Sequence, residues 1–185
     1  LMKAGDYREA AELYQLARDK QDSASILLRQ ARALRQQDRD RRAIEILKQG
    51  TERFGDNHQV HLNLAMLYQA NDQQDEARTA YEDTLELAPE NAVALNNLAW
   101  LLHEDDAARS LELAERAYNG NADNPSVADT YGWVLLKNGQ VQRSIEILEK
   151  AHESAPDSRD ITQHLAEAYR KAGQPERADQ LMQQL

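Results

Sequence analysis

The chain contains no cysteine among its 185 residues, which excludes a disulfide framework, a zinc–thiolate centre and thiol redox chemistry. Glycine (7), proline (4) and phenylalanine (1) are scarce as well. Aromatic residues make up 5%, too few for the half-buried faces that strands present. Ala, Leu, Glu, Gln and Arg abound instead, the composition of a chain built mostly of helices. A net charge of −10 disfavours attraction to nucleic acid or to an anionic membrane surface. No run reaches the roughly 20 apolar residues that cross a bilayer, and no basic-then-apolar signal segment opens the chain. Neither a nucleic-acid partner nor membrane insertion is therefore expected. The chain opens at Leu1 partway through a pattern, as a piece of a longer protein would.

That pattern is a repeat. A small residue recurs at Ala31, Ala65, Ala99, Gly132 and Ala166, at spacings of 34, 34, 33 and 34. A second series runs through Ala10, Ala43, Ala77, Ser110, Ser144 and Ala178, at spacings of 33, 34, 33, 34 and 34. Within each unit apolar residues return every three or four positions, as at Leu62, Ala65 and Tyr68 and then at Ala77, Tyr81 and Leu85, which is the helical period. Each unit thus holds two helices. Gly5, Asp38, Asp72, Gly139 and Gly173 fall between them, all types that tolerate a left-handed residue. Pro89 and Pro156 fall between units, and Pro175 opens a helix. The small residues let two helices approach, and Tyr68, Tyr81, Trp100, Leu148 and Tyr169 are expected to fill the space around the crossings. The expected units are a partial repeat over 1–23, repeats over 24–57, 58–91, 92–124 and 125–158, and a truncated one over 159–185.

The segment HLNLAMLYQANDQQDEARTAYEDTLELAP carries Leu64, Ala65, Tyr68, Ala77, Tyr81 and Pro89 where the tetratricopeptide repeat family has them, with Thr84 replacing the usual Ala. GDYREAAELYQLA and NGQVQRSIEILEKAHESAP resemble the family's second helix. Departures are Ser110 and Ser144 for Ala, Gly55 for Pro, and a unit over 92–124 that is one residue short near His103 to Ala107. The resemblance implies an all-α, right-handed superhelical solenoid of antiparallel helix pairs whose first helices line a concave groove for a protein or peptide. More narrowly, ALNNLAWLL, ELAERAY and DNPSVADTYGWVLLKNGQ resemble tetratricopeptide lipoproteins of bacterial exopolysaccharide export and protein sorting. That resemblance implies a bacterial envelope or periplasmic setting, whereas the absence of cysteine fits periplasm and cytoplasm equally.

Seven residues stand out as groove candidates. Arg29, Arg32 and Arg35 lie three apart and drift slowly around one helical face, where guanidinium forks suit carboxylates; the alternative is a salt-bridged surface with Glu45 or Asp38. Asn63 and Asn97 hold the same register, and a ladder of amides can bind an extended backbone. Trp100 and Trp133, the only tryptophans, each follow a crossing residue and serve either as anchors or as covers between neighbouring first helices. Together they are expected to form a strip with a basic end, an amide middle and an aromatic far end.

Catalytic signals are weak. His58 and His61 lack the rest of a metal motif, Ser154, His152 and Asp157 are close only in sequence, and no phosphate loop or nucleophile elbow occurs. No cofactor and no enzymatic activity are expected. The expected function is a protein-interaction scaffold, with a ligand-free structural spacer as the alternative. Ending on Leu181, Met182 and Leu185 without a polar cap, the chain is also expected to associate end to end.

Overall fold

In the computed structural model, which describes residues 4–20 and 23–183, every regular element is an α-helix. In order these are α1 (Ala4–Lys20), α2 (Ala24–Arg35), α3 (Asp40–Arg53), α4 (His58–Ala70), α5 (Gln74–Leu87), α6 (Ala92–Leu102), α7 (Ala107–Gly120), α8 (Pro125–Lys137), α9 (Val141–Ser154), α10 (Arg159–Lys171) and α11 (Pro175–Met182). They divide into two compact units, Leu1–Pro89 and Glu90–Leu185. In the first, α1 packs on α2, and α2/α3 and α4/α5 are helical hairpins; in the second the hairpins are α6/α7, α8/α9 and α10/α11. Their three- or four-residue links leave room only for antiparallel pairs.

Four of those links turn on one left-handed residue: Asp38 (φ 56°), Asp72 (58°), Gly139 (75°) and Gly173 (75°). Glycine adopts this conformation without a Cβ clash, and Asp is among the few side-chain-bearing residues that tolerate it. One expectation fails. Gly5 lies in the first turn of α1, where an N–H has no intrahelical acceptor to lose. The α6–α7 link contains no left-handed residue, because the missing residue is absorbed by α6, only 11 residues long, and the Asp106 side chain caps α7 by accepting from the Arg109 N–H at 3.1 Å.

The small-residue series mark the helix crossings. Ala43, Ala65, Ala77, Ala99, Ala166 and Ala178 are wholly buried. The two serine departures prove to be fasteners: Ser110 Oγ donates to the Ala99 carbonyl and Ser144 Oγ to the Gly132 carbonyl, each at 2.7 Å across a crossing. A hydroxyl fits there because it reaches an acceptor on the facing helix. Ser144→Ala should cost about 1 kcal/mol in urea melts, the net worth of one buried hydrogen bond. Tyr68, Tyr81, Leu148 and Tyr169 pack into the core as expected. Trp100 does not, and remains half-buried.

In the second unit α6 touches α8 and α8 touches α10, while no comparable backbone approach joins α7 to α9 or α9 to α11. The first helices therefore form the inner layer of this unit. Long side chains bridge the wider outer gaps. Arg143 of α9 reaches Glu115 of α7 at 2.8 Å, and Arg177 of α11 reaches Glu149 of α9 at 3.0 Å. A tyrosine completes each clamp: Tyr131 donates to Glu115 at 3.0 Å and Tyr169 to Glu149 at 2.6 Å.

Hydrogen bonds from Arg143 and then Tyr131 hold the Glu115 carboxyl below its ordinary range. Burial, and next the bonded carboxylate, push both phenols from 10.0 up to about 12. A pKa raised by folding stabilises fully below the unfolded value and loses its contribution as pH climbs through the folded one. Stability should therefore fall between pH 10 and about 12, and less steeply in a Tyr131→Phe/Tyr169→Phe variant. Urea midpoints across that window check it, and parallel slopes in the two proteins would refute it.

Of the three apolar residues near the C-terminus, Leu181 is not open as expected. Leu181 is buried with Leu136, Leu148, Leu165 and Tyr169, and Met182 packs against that cluster because α11 closes over α10. Leu185 lies outside the described residues.

Candidate interaction site

The inner face of the second unit carries its aromatic and imidazole groups in one stack. Asn91 and Asn124 cap α6 and α8 through their side chains, accepting from the Ala94 N–H at 3.1 Å and the Ser126 N–H at 3.0 Å. Those starts bring Trp100 and Trp133, each one residue after a crossing position, to the same face, with His164 of α10 against both. The His164 ring stacks on Trp133 at 4.3 Å between centroids and lies 5.8 Å from Trp100. His103, the C-cap of α6, stacks on Trp100 at 5.1 Å, and its Nδ1 lies 2.6 Å from the Trp100 carbonyl oxygen.

His164 Nδ1 sits 2.8 Å from Asp129 Oδ1, with both side chains largely buried. The carboxylate thus fixes the ring orientation between the tryptophans. The Lys137 ammonium lies 4.4 Å above the Trp133 ring, a cation–π contact. The tryptophans are not equivalent: Trp133 packs against the Leu165–Tyr169 core cluster, whereas Trp100 lines an open pocket of about 440 Å³. Asn96 and Asn97 of α6, Ser126, Asp129 and Thr130 of α8, and Ser158, Asp160 and His164 of α10 form the rest of its wall.

Asn97 accepts from Asn96 Nδ2 at 3.3 Å. In the first unit Asn63 turns back on its own helix, donating to the Gln59 carbonyl at 2.8 Å, so one of its amide donors is already occupied. Arg29 and Arg32 line a cavity of about 500 Å³ with Tyr7, Ala10 and Tyr14 of α1 and with Ala33 and Gln36, whereas Arg35 is exposed and outside it. Glu45, one expected partner of these arginines, pairs with Arg42 at 2.6 Å. The expected strip is thus distributed over the two units, with the arginines and Asn63 in one and Asn97 and the tryptophans in the other.

Sequence reasoning missed His103, Asp129, His164, Tyr7 and Tyr14. A signal existed for one of them: His164 stands two positions before Ala166, as Asn63 and Asn97 stand before Ala65 and Ala99. The other candidate clusters come apart. His58 contacts Gln59 at 2.8 Å while His61 contacts the Gly55 carbonyl oxygen at 3.0 Å, and Ser154 Oγ donates to the Lys150 carbonyl while His152 meets Thr162.

Stacked helix hairpins with small-residue crossings and a polar–aromatic inner face define a helical-repeat scaffold of the kind that mediates protein–protein interaction. Family models for the tetratricopeptide repeat match residues 1–67 and 135–185 and, separately, 58–91, and the chain belongs to that family. It is 26% identical over 145 residues to a TPR repeat-containing protein of Pseudomonas aeruginosa, covering 76% of this chain but only 25% of that protein. Among solved structures it is similar to MamA of Desulfovibrio magneticus, with a TM-score of 0.75 and 15% identity over 95% of this chain and 92% of that one. It is also similar to YrrB, a TPR protein with an unusual peptide-binding site, with a TM-score of 0.78 and 18% identity over 94% and 90% of the two chains. A tetratricopeptide repeat protein of Parabacteroides merdae superimposes with a TM-score of 0.80 at 18% identity, over 97% of this chain and 72% of that one.

Proposed function

We propose that the inner face of the second unit docks an extended segment of a partner protein, with Trp100 as its anchor and Asn97 holding the segment's backbone. The observation that carries this reading is the half-buried Trp100 face beside the polar pocket, an apolar surface next to hydrogen-bonding groups on the layer of first helices. In the first unit, taken by itself, Arg29 and Arg32 with Tyr7 and Tyr14 suit an acidic group of a protein, with Arg35 steering its approach.

The test compares proteins captured by the wild-type chain and by Trp100→Ala, Asn97→Ala and Arg29→Ala/Arg32→Ala variants whose helicity is unchanged by circular dichroism. A band lost with Trp100→Ala supports docking. An identical set of bands refutes it and favours a structural spacer. The strings that resemble exopolysaccharide-export lipoproteins extend the proposal to a bacterial envelope setting, which fractionation of cells expressing the protein would test.

A further inference from the structure

The pocket beside Trp100 presents acceptors and a ring face, and its wall contains no lysine or arginine. Asp129 contributes one carboxylate, with Oδ1 committed to His164, and Asp160 in the first turn of α10 contributes a second. Asn96 donates its Nδ2 to Asn97, and its buried Oδ1 has no donor of its own. An acceptor in that state is costly until a donor arrives. Thr130 has likewise committed its hydroxyl proton to the Ser126 carbonyl, so the oxygen can only accept from a ligand. Elsewhere in the unit the chain seats its own cations on ring faces: Lys137 on Trp133 at 4.4 Å, Arg143 on Tyr131 at 5.5 Å and Arg177 on Tyr169 at 4.1 Å.

From these we infer that the pocket receives a basic side chain, arginine or lysine, of the docked segment, stacked on Trp100 and donating to Asp129 and Asp160. The inference rests on the docking reading and adds the partner's chemistry to it. A guanidinium carries five donors and no acceptor, which matches the two carboxylates and the Thr130 oxygen, and its plane suits an indole face. A carboxylate placed there would meet two like charges and no lysine or arginine.

The chain has only two indoles, so amide and indole N–H spectra of the 15N-labelled protein report the site directly. The probe is a blocked Gly-Ser-Arg-Gly-Ser peptide, set against the same peptide with uncharged, isosteric citrulline. The expected result is a shift of the Trp100 indole and the Asn96 amide, with binding at least tenfold tighter for arginine than for citrulline. Asp129→Asn and Asp160→Asn should each erode that preference, while Glu146→Gln, exposed on α9, should leave it intact. Equal binding of the two peptides would overturn the inference, and so would a Glu146→Gln loss equal to that of Asp160→Asn, which would reveal diffuse attraction to an acidic chain. The docking reading fails separately. Capture lost in Trp100→Ala together with equal peptide binding removes the cation pocket alone, whereas arginine-selective shifts with unchanged capture keep the pocket and remove the docking face.

Discussion

Gly132→Ala should destabilise the second unit although alanine is the better helix former. Alanine in place of glycine inside a helix gains about 1 kcal/mol from propensity alone. At Gly132, however, a Cβ would stand 2.5 Å from Leu148 Cγ and 2.8 Å from its Cδ2. The contact is with the branch point of a side chain that is itself fully buried, so it cannot be relieved by swinging a flexible tip outward. Overpacking of this kind costs about 1–3 kcal/mol, and the net sign is therefore unfavourable. Leu148→Ala alone should cost about 2–5 kcal/mol through the cavity it leaves. The pair should then be non-additive, because the new methyl at position 132 sits where the leucine was. Tryptophan fluorescence isolates the answer, since Trp100 and Trp133 both lie in the second unit. Strictly additive costs would mean that Gly132 and Leu148 do not share the crossing.

That same crossing shows what could be read before the structure. Two small-residue series in register were enough to give the hairpins, because helices in contact through their backbones leave a periodic mark in sequence. The left-handed turns were legible at Asp38, Asp72, Gly139 and Gly173, where the conformation restricts the residue type. Side-chain partnerships across helices were not. Ser110 and Ser144 looked like departures from a small-residue rule, and only their facing carbonyls reveal them as fasteners. The Tyr131 and Tyr169 clamps were equally hidden, since the tyrosines occupy different register positions yet reach equivalent glutamates, Glu115 and Glu149. In the candidate site, position named the tryptophans and asparagines. It was silent on Asp129, whose role appears only when α8 sets it beside His164.

The two tryptophans, indistinguishable by register, should separate by experiment. Trp133 is stacked on His164 at 4.3 Å, has the Lys137 ammonium over its ring at 4.4 Å, and is packed on the Leu136–Leu165 core cluster. Its truncation removes three sets of contacts, so Trp133→Ala should lower the unfolding free energy of the second unit by about 2–3 kcal/mol, somewhat below the cost of a fully buried tryptophan. Trp100 keeps one side on the pocket, and its contacts with His103 and His164 are at the wider centroid distances of 5.1 and 5.8 Å. Losing it exposes less core and should cost about 1 kcal/mol, close to the typical point substitution. The order reverses for binding. A rigid aromatic at the centre of a docking face accounts for about 2 kcal/mol or more, so Trp100→Ala should weaken a captured partner roughly 30-fold, while Trp133→Phe, which preserves a ring for His164, should weaken it little. Paired urea melts and titrations with the captured partner read both axes. If Trp100→Ala proves the more destabilising and leaves affinity unchanged, the indole is a cover between α6 and α10 and the docking face is lost.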